Sequence, residues 1–118
     1  MQDLSQVKTQ LTRKDLFEAF KVQLAKDFEQ SNFSADFVKT LEPDYARIHG
    51  QILLELQRAQ KRADSDVMNL LYRVDISEAQ LKRYLAESPA EDTLVTIAEL
   101  IIKRVLQKIV IRKYYKSE

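Results

Sequence analysis

Residues 43–74 read PDYARIHGQILLELQRAQKRADSDVMNLLYRV. Within them Tyr45, Ile48, Ile52, Leu56, Ala59, Ala63, Val67, Leu70 and Val74 recur at spacings of 3, 4, 4, 3, 4, 4, 3 and 4 residues. At roughly 100° per residue these side chains share a stripe about 100° wide, the pattern of an amphipathic helix with one buried face. An eleven-residue repeat keeps such a seam nearly straight. Pro43 suits a first helical position, where its missing N–H costs nothing. The spacing predicts one helix over 43–74, about 48 Å long at about 1.5 Å per residue. Asp64-Ser65-Asp66 contains good caps for a break, yet the register is unchanged across it. Continuity is therefore the expectation, with these residues as an acidic outer turn.

Upstream, Leu4, Val7 and Leu11 have helical spacing in a terminal segment prone to fraying. Thr12 is read as the cap of a first clear helix, with Leu11 and Leu16 at staple spacing and Leu16, Phe20, Leu24 and Phe28 recurring every fourth residue. Gln30-Ser31-Asn32 reads as a turn. Ser34 then caps a short helix to Leu41 that turns Phe33, Phe37 and Leu41 inward.

Downstream, Asp75-Ile76-Ser77-Glu78 reads as a turn and capping box, opening a short helix with Leu81, Tyr84 and Leu85 inward. Ser88-Pro89-Ala90-Glu91 carries a cap, a proline and a glutamate in the order that starts a helix. The last helix is expected over 89–113. Leu94, Val95, Ala98, Ile101, Ile102, Val105, Leu106 and Ile109 line its inner face, and Asp92, Thr96, Glu99, Lys103 and Gln107 the opposite, solvated face. Then the order fails: Val110 and Ile111 fall on the polar side and Arg112 on the apolar side.

The bulk composition agrees with helices. The 118 residues include one glycine and two prolines, too few for the turns of a sheet protein. Being 45% hydrophobic and 31% charged, the chain belongs to the globular class. It has no cysteine, which excludes disulfides, thiolate metal sites and cysteine nucleophiles. Neither a signal peptide nor a transmembrane run is present, and a cytoplasmic location is expected. The net charge of +1 is unevenly spread, because residues 100–118 carry six basic groups against one acidic.

Motifs for catalysis are sparse. His49, the only histidine, stands on the inner stripe without ligand-spaced companions, so a buried, hydrogen-bonded structural role is expected and no metal. Gly50 beside it suggests close approach of another helix. Asp64-Ser65-Asp66 lacks the glycine and terminal glutamate of a calcium loop. Phosphate loops and nucleophile elbows need glycines that this chain lacks.

Residues 66–85 have the helix, tight turn and helix of a DNA reader, with Lys82, Arg83, Lys108, Arg112 and Lys113 as the contacts it would use. Asp75, Leu71 and Glu78 depart from that pattern, since they stand where glycine, a small residue and a phosphate-facing start are wanted. The stronger expectation is a single all-α domain over 1–118, a bundle of about four main helices with long helices at 43–74 and 89–113. It would act as a non-enzymatic interaction module without a cofactor. Its surface would be Val110, Ile111, Tyr114 and Tyr115, placed against a protein partner or a second copy of the chain.

Overall fold

The inner stripe of residues 43–74 does face the core. The computed structural model describes residues 4–62, 64–87 and 92–115. Among these are six α-helices and no strand: α1 (Leu4–Leu11), α2 (Lys14–Glu29), α3 (Tyr45–Arg62), α4 (Asp64–Arg73), α5 (Glu78–Glu87) and α6 (Thr93–Tyr115), with a 3₁₀ turn at Asp36–Thr40. Against an expected four main helices, the described residues form six helical segments, with α1 a helix of its own. Ala63, the residue on which continuity of a 43–74 helix turns, lies outside the described residues. Asp64-Ser65-Asp66 is the first turn of α4 and not an outer acidic turn, for Asp66 is buried and paired with Arg62 at 3.5 Å. Ile48, Ile52, Leu56, Ala59, Val67, Leu70 and Val74 are all buried.

Several helix starts lie a few residues from where the motifs suggest. Asp44, not Pro43, starts α3: its carboxylate accepts from the Arg47 N–H at 3.2 Å and its carbonyl from the Ile48 N–H at 3.0 Å. Thr12 belongs to the end of α1, since its hydroxyl donates to the Thr9 carbonyl at 2.6 Å, and α2 begins after Arg13 without a side-chain cap. The Ser88-Pro89-Ala90-Glu91 signal lies outside the described residues. The last helix starts at Thr93 rather than 89, where the Asp92 carboxylate accepts from the Leu94 N–H at 2.8 Å.

Two helices stop without glycine. After α2, Asn32 takes φ 68°; the Phe33 N–H donates to the Phe28 carbonyl and the Asn32 N–H to that of Glu29. After α4, Asp75 takes φ 63°, with Ile76 donating to Leu71 and Asp75 to Tyr72. Both ends are Schellman motifs, in which a left-handed residue lets the chain return its N–H groups to the last carbonyls. Apolar residues accompany each return. Phe28 and Phe33 meet edge to face at 5.2 Å, and Leu71 and Ile76 are both buried. Phe33, Val38 and Leu41 are then buried around the 3₁₀ turn, while Phe37 is only half-buried against Phe28.

Helix α6 runs through the middle, packed against α2, α3 and α5. From Leu94 to Val110 no residue is exposed. Its side chains at 94, 97, 98, 100, 101, 102, 105 and 106 are buried, and so are Thr96 and Lys103 on the opposite side, so the expected solvated face does not exist there. The β-branched run Ile109-Val110-Ile111 is helical. The segment 4–11 is more firmly placed than its terminal position suggests, for Val7 and Leu11 are wholly buried.

Gly50 is exposed on α3, and a Cβ there would meet nothing within 4 Å. No helix approaches it, contrary to the expectation. Gly50→Ala should therefore raise stability by about 0.5–1 kcal/mol through reduced backbone freedom in the unfolded chain. In the centre, Ile101 is 0% exposed, and Ile101→Ala should cost about 2–5 kcal/mol. Urea denaturation midpoints of the two variants, moving in opposite directions, check both.

Candidate functional site

His49 is largely but not fully buried. Its Nε2–H donates to the Val95 carbonyl at 2.9 Å, and its ring lies 5.8 Å from that of Tyr45. The hydrogen bond holds α3 against the start of α6. Among the described residues no group of three or more histidine, aspartate and glutamate side chains could hold a metal ion.

The polar side of α6 is covered from outside by α5. Lys103 is 8% exposed; its ammonium donates to the Tyr84 hydroxyl at 2.9 Å and to Glu99 at 3.3 Å. Burial by itself pulls the Lys103 ammonium toward deprotonation, but the Tyr84 hydrogen bond and the Glu99 charge together outweigh it, so its pKa lies above the ordinary 10.5. Arg104 donates to the Asp75 carbonyl at 3.3 Å, tying α6 to the turn that precedes α5. Lys103 and Arg104, which at the level of sequence look like a solvated flank, are joints of the fold. The turn between α4 and α5 is closed by a reciprocal capping box: the Gln80 N–H donates to Ser77 Oγ at 3.1 Å and the Ser77 N–H to Gln80 Oε1 at 3.0 Å.

The basic residues assigned to nucleic acid separate into two groups. Lys82 and Arg83 are exposed on α5, whose two cations are balanced by Glu78 and Glu87. The other three face α2. Lys108 donates to Asp27 Oδ2 at 3.2 Å and to the Arg73 carbonyl at 3.3 Å, at the end of α4. Arg112 donates to Gln23 Oε1 at 2.9 Å, and Lys113 pairs with Asp15. Gln23 also donates to Asp27 Oδ1 at 3.0 Å, which joins α2, α4 and α6 through one polar network. Gln23 and Asp27 are buried at positions that share the register of Phe20, Leu24 and Phe28. Polar residues in an apolar register were the available signal for this network.

The four residues expected to form an interaction surface also divide. Val110 is half-buried against the core of its own chain, and so is not a free apolar group. Ile111 is 47% and Tyr114 58% exposed. Three residues apart on a helix, they are surface neighbours. The side chain of Tyr115 lies outside the described part. Because Arg104 meets the turn before α5, these last turns of α6 extend beyond the helix that covers the same side upstream.

Next to them lies a shallow depression of about 620 Å³ lined by Arg13, Lys14, Asp15 and Glu18. Arg13 reaches the Tyr114 hydroxyl at 3.5 Å and Asp15 at 3.2 Å, so the depression and the exposed pair adjoin. No family model, curated protein or solved structure matches the chain. No helix among the described residues is long and apolar enough to cross a membrane.

Raised affinity of the folded state for the Lys103 proton has a defined sign. The stabilisation is complete below the unfolded-state value and is lost as pH rises through the folded-state pKa, which lies above 10.5. Urea unfolding at pH 9 and above should show stability falling over that range more steeply in the parent chain than in Lys103→Met. Parallel curves for the two would show that Lys103 has no such coupling.

Proposed function

We propose that this chain is a non-enzymatic helical interaction module that docks another polypeptide on the outward face of the last turns of α6. Ile111 and Tyr114 form the centre of that face. One observation carries the reading. α6 is wrapped by its own chain from Leu94 to Val110 and then presents a large aliphatic and a large aromatic side chain, side by side, to solvent. Single exposed apolar groups are ordinary, whereas adjacent ones on a rigid helix are the usual makings of a contact surface.

The nucleic-acid reading has less to support it. Three of its five cations are engaged within the chain, and the helix that would enter a groove carries no net charge. The absence of cysteine agrees with work in a reducing cytoplasm. A second copy of the chain is the first partner to test, because twofold symmetry uses one patch twice.

A photo-cross-linking residue placed at 111 or at 114 in native cells should give a discrete adduct, either a dimer or one heavier species. Ile111→Glu should abolish the adduct from 114 while leaving the helical circular dichroism unchanged. Val22, 71% exposed, is the control site and should give none. Adducts of equal yield from position 22, or none from 111 and 114, would sink the proposal.

A further inference from the structure

We infer that α5 is a displaceable cover: it leaves α6 and unfolds as a local unit while the rest of the bundle stays packed, uncovering the side of α6 that carries Glu99 and Lys103. The opening is independent of what docks at the end of α6. Thr96, Glu99, Lys103 and Gln107 recur at spacings of 3, 4 and 4 residues, all polar, as on a helix face that meets water. In the folded chain Thr96 is 1% and Lys103 8% exposed, and the Lys103 ammonium donates to the Tyr84 hydroxyl of α5 at 2.9 Å. A side composed for solvent is thus closed by a helix.

That helix is held differently from the others. α5 has no buried residue and packs chiefly against α6. Its Leu81 and Tyr84 lie against the core but keep part of their surface in water. α2 and α3, by contrast, bury Phe20, Leu24, Ile52 and Leu56 completely. When α5 lifts, Glu99 and Lys103 return to water, where new hydrogen bonds replace the lost ones. Local opening follows the seam with the least apolar burial, and this is that seam. Helices shorter than about 12 residues are marginal in isolation, so the ten residues of α5 unfold on leaving. The opening stops at the preceding turn, where Leu71 and Ile76 are buried and Arg104 holds the Asp75 carbonyl at 3.3 Å. Once uncovered, the polar side runs into the exposed end of the helix, because Lys103, Gln107, Val110 and Tyr114 follow at spacings of 4, 3 and 4 residues.

The test takes two readings on the full chain. Hydrogen exchange followed by NMR should give the amides of residues 82–87 one shared protection factor, at least about a hundredfold below that of residues 100–106. Low urea should leave the α5 value unchanged while the α6 amides speed up, since only global unfolding exposes much surface. Acylation by a small amine-reactive ester, read by mass spectrometry, should reach Lys103 through the same opening. Tyr84→Phe keeps the ring and removes the hydroxyl that Lys103 meets. It should raise both the exchange of 82–87 and the acylation of Lys103 severalfold, and leave residues 100–106 and Lys108, which is tied to Asp27, unchanged. Equal protection of α5 and α6, lost together in urea, overturns the cover, because α5 then opens only with the whole fold. Protection that declines residue by residue toward 87 overturns it as well, since that is fraying of a helix end. So do unprotected α5 amides in the parent chain, or Lys103 acylation that ignores Tyr84→Phe.

Discussion

A helix that shows no exposed residue from Leu94 to Val110 has to be covered by its neighbours around its entire circumference. For α6, the helices α2, α3 and α5 meet that demand. α3 and α2 take its apolar sides, and α5, which itself has no fully buried residue, lies across the side that carries Glu99 and Lys103. Covering a polar side is costly unless each polar group finds a partner, because an unsatisfied buried donor loses its water without compensation. The bonds from Lys103 to Tyr84 and Glu99, and from Arg104 to the Asp75 carbonyl, answer that requirement. They also explain the position of α5, a helix with little apolar burial to hold it elsewhere.

The same economy governs the helix ends. With a single glycine, and that one inside α3, the chain must reverse direction using residues that carry a Cβ. Asn32 and Asp75 accept the left-handed conformation more readily than most residues, and each is followed by a large apolar side chain that anchors the return, Phe33 or Ile76. These two stops set the direction in which the chain enters the 3₁₀ turn and α5. The fold therefore concentrates its local strain at two surface turns and leaves the centre regular.

At the far end of α6 the covering is partial. Lys108, Arg112 and Lys113 reach back to α2, so the helix is tethered along one side by Asp27, Gln23 and Asp15. The side away from those tethers carries Ile111 and Tyr114. A tethered helix keeps its geometry, and a fixed apolar pair loses little freedom when it is covered, which is the physical basis for proposing it as a docking face.

Much of the architecture was legible in the order of residues. The stripe from Ile48 to Val74, the four-residue recurrence from Leu16 to Phe28 and the scarcity of glycine specify helices and their inward sides, because backbone periodicity places side chains three and four apart on one face whatever the rest of the chain does. The failure of register at Val110 and Ile111 was equally visible, and the surface reading grew from it. What only the tertiary structure decided is which face meets which. Lys103 looks solvated until α5 lies over it, and Gly50 looks crowded until α3 is seen to be open there. Arg112 seems misplaced on an apolar side until it meets Gln23, 89 residues away, and Lys108 meets Asp27 across 81. Local spacing fixes the direction of a side chain relative to its own helix. Its partner depends on how two helices cross, and that is set by the packing of the whole core.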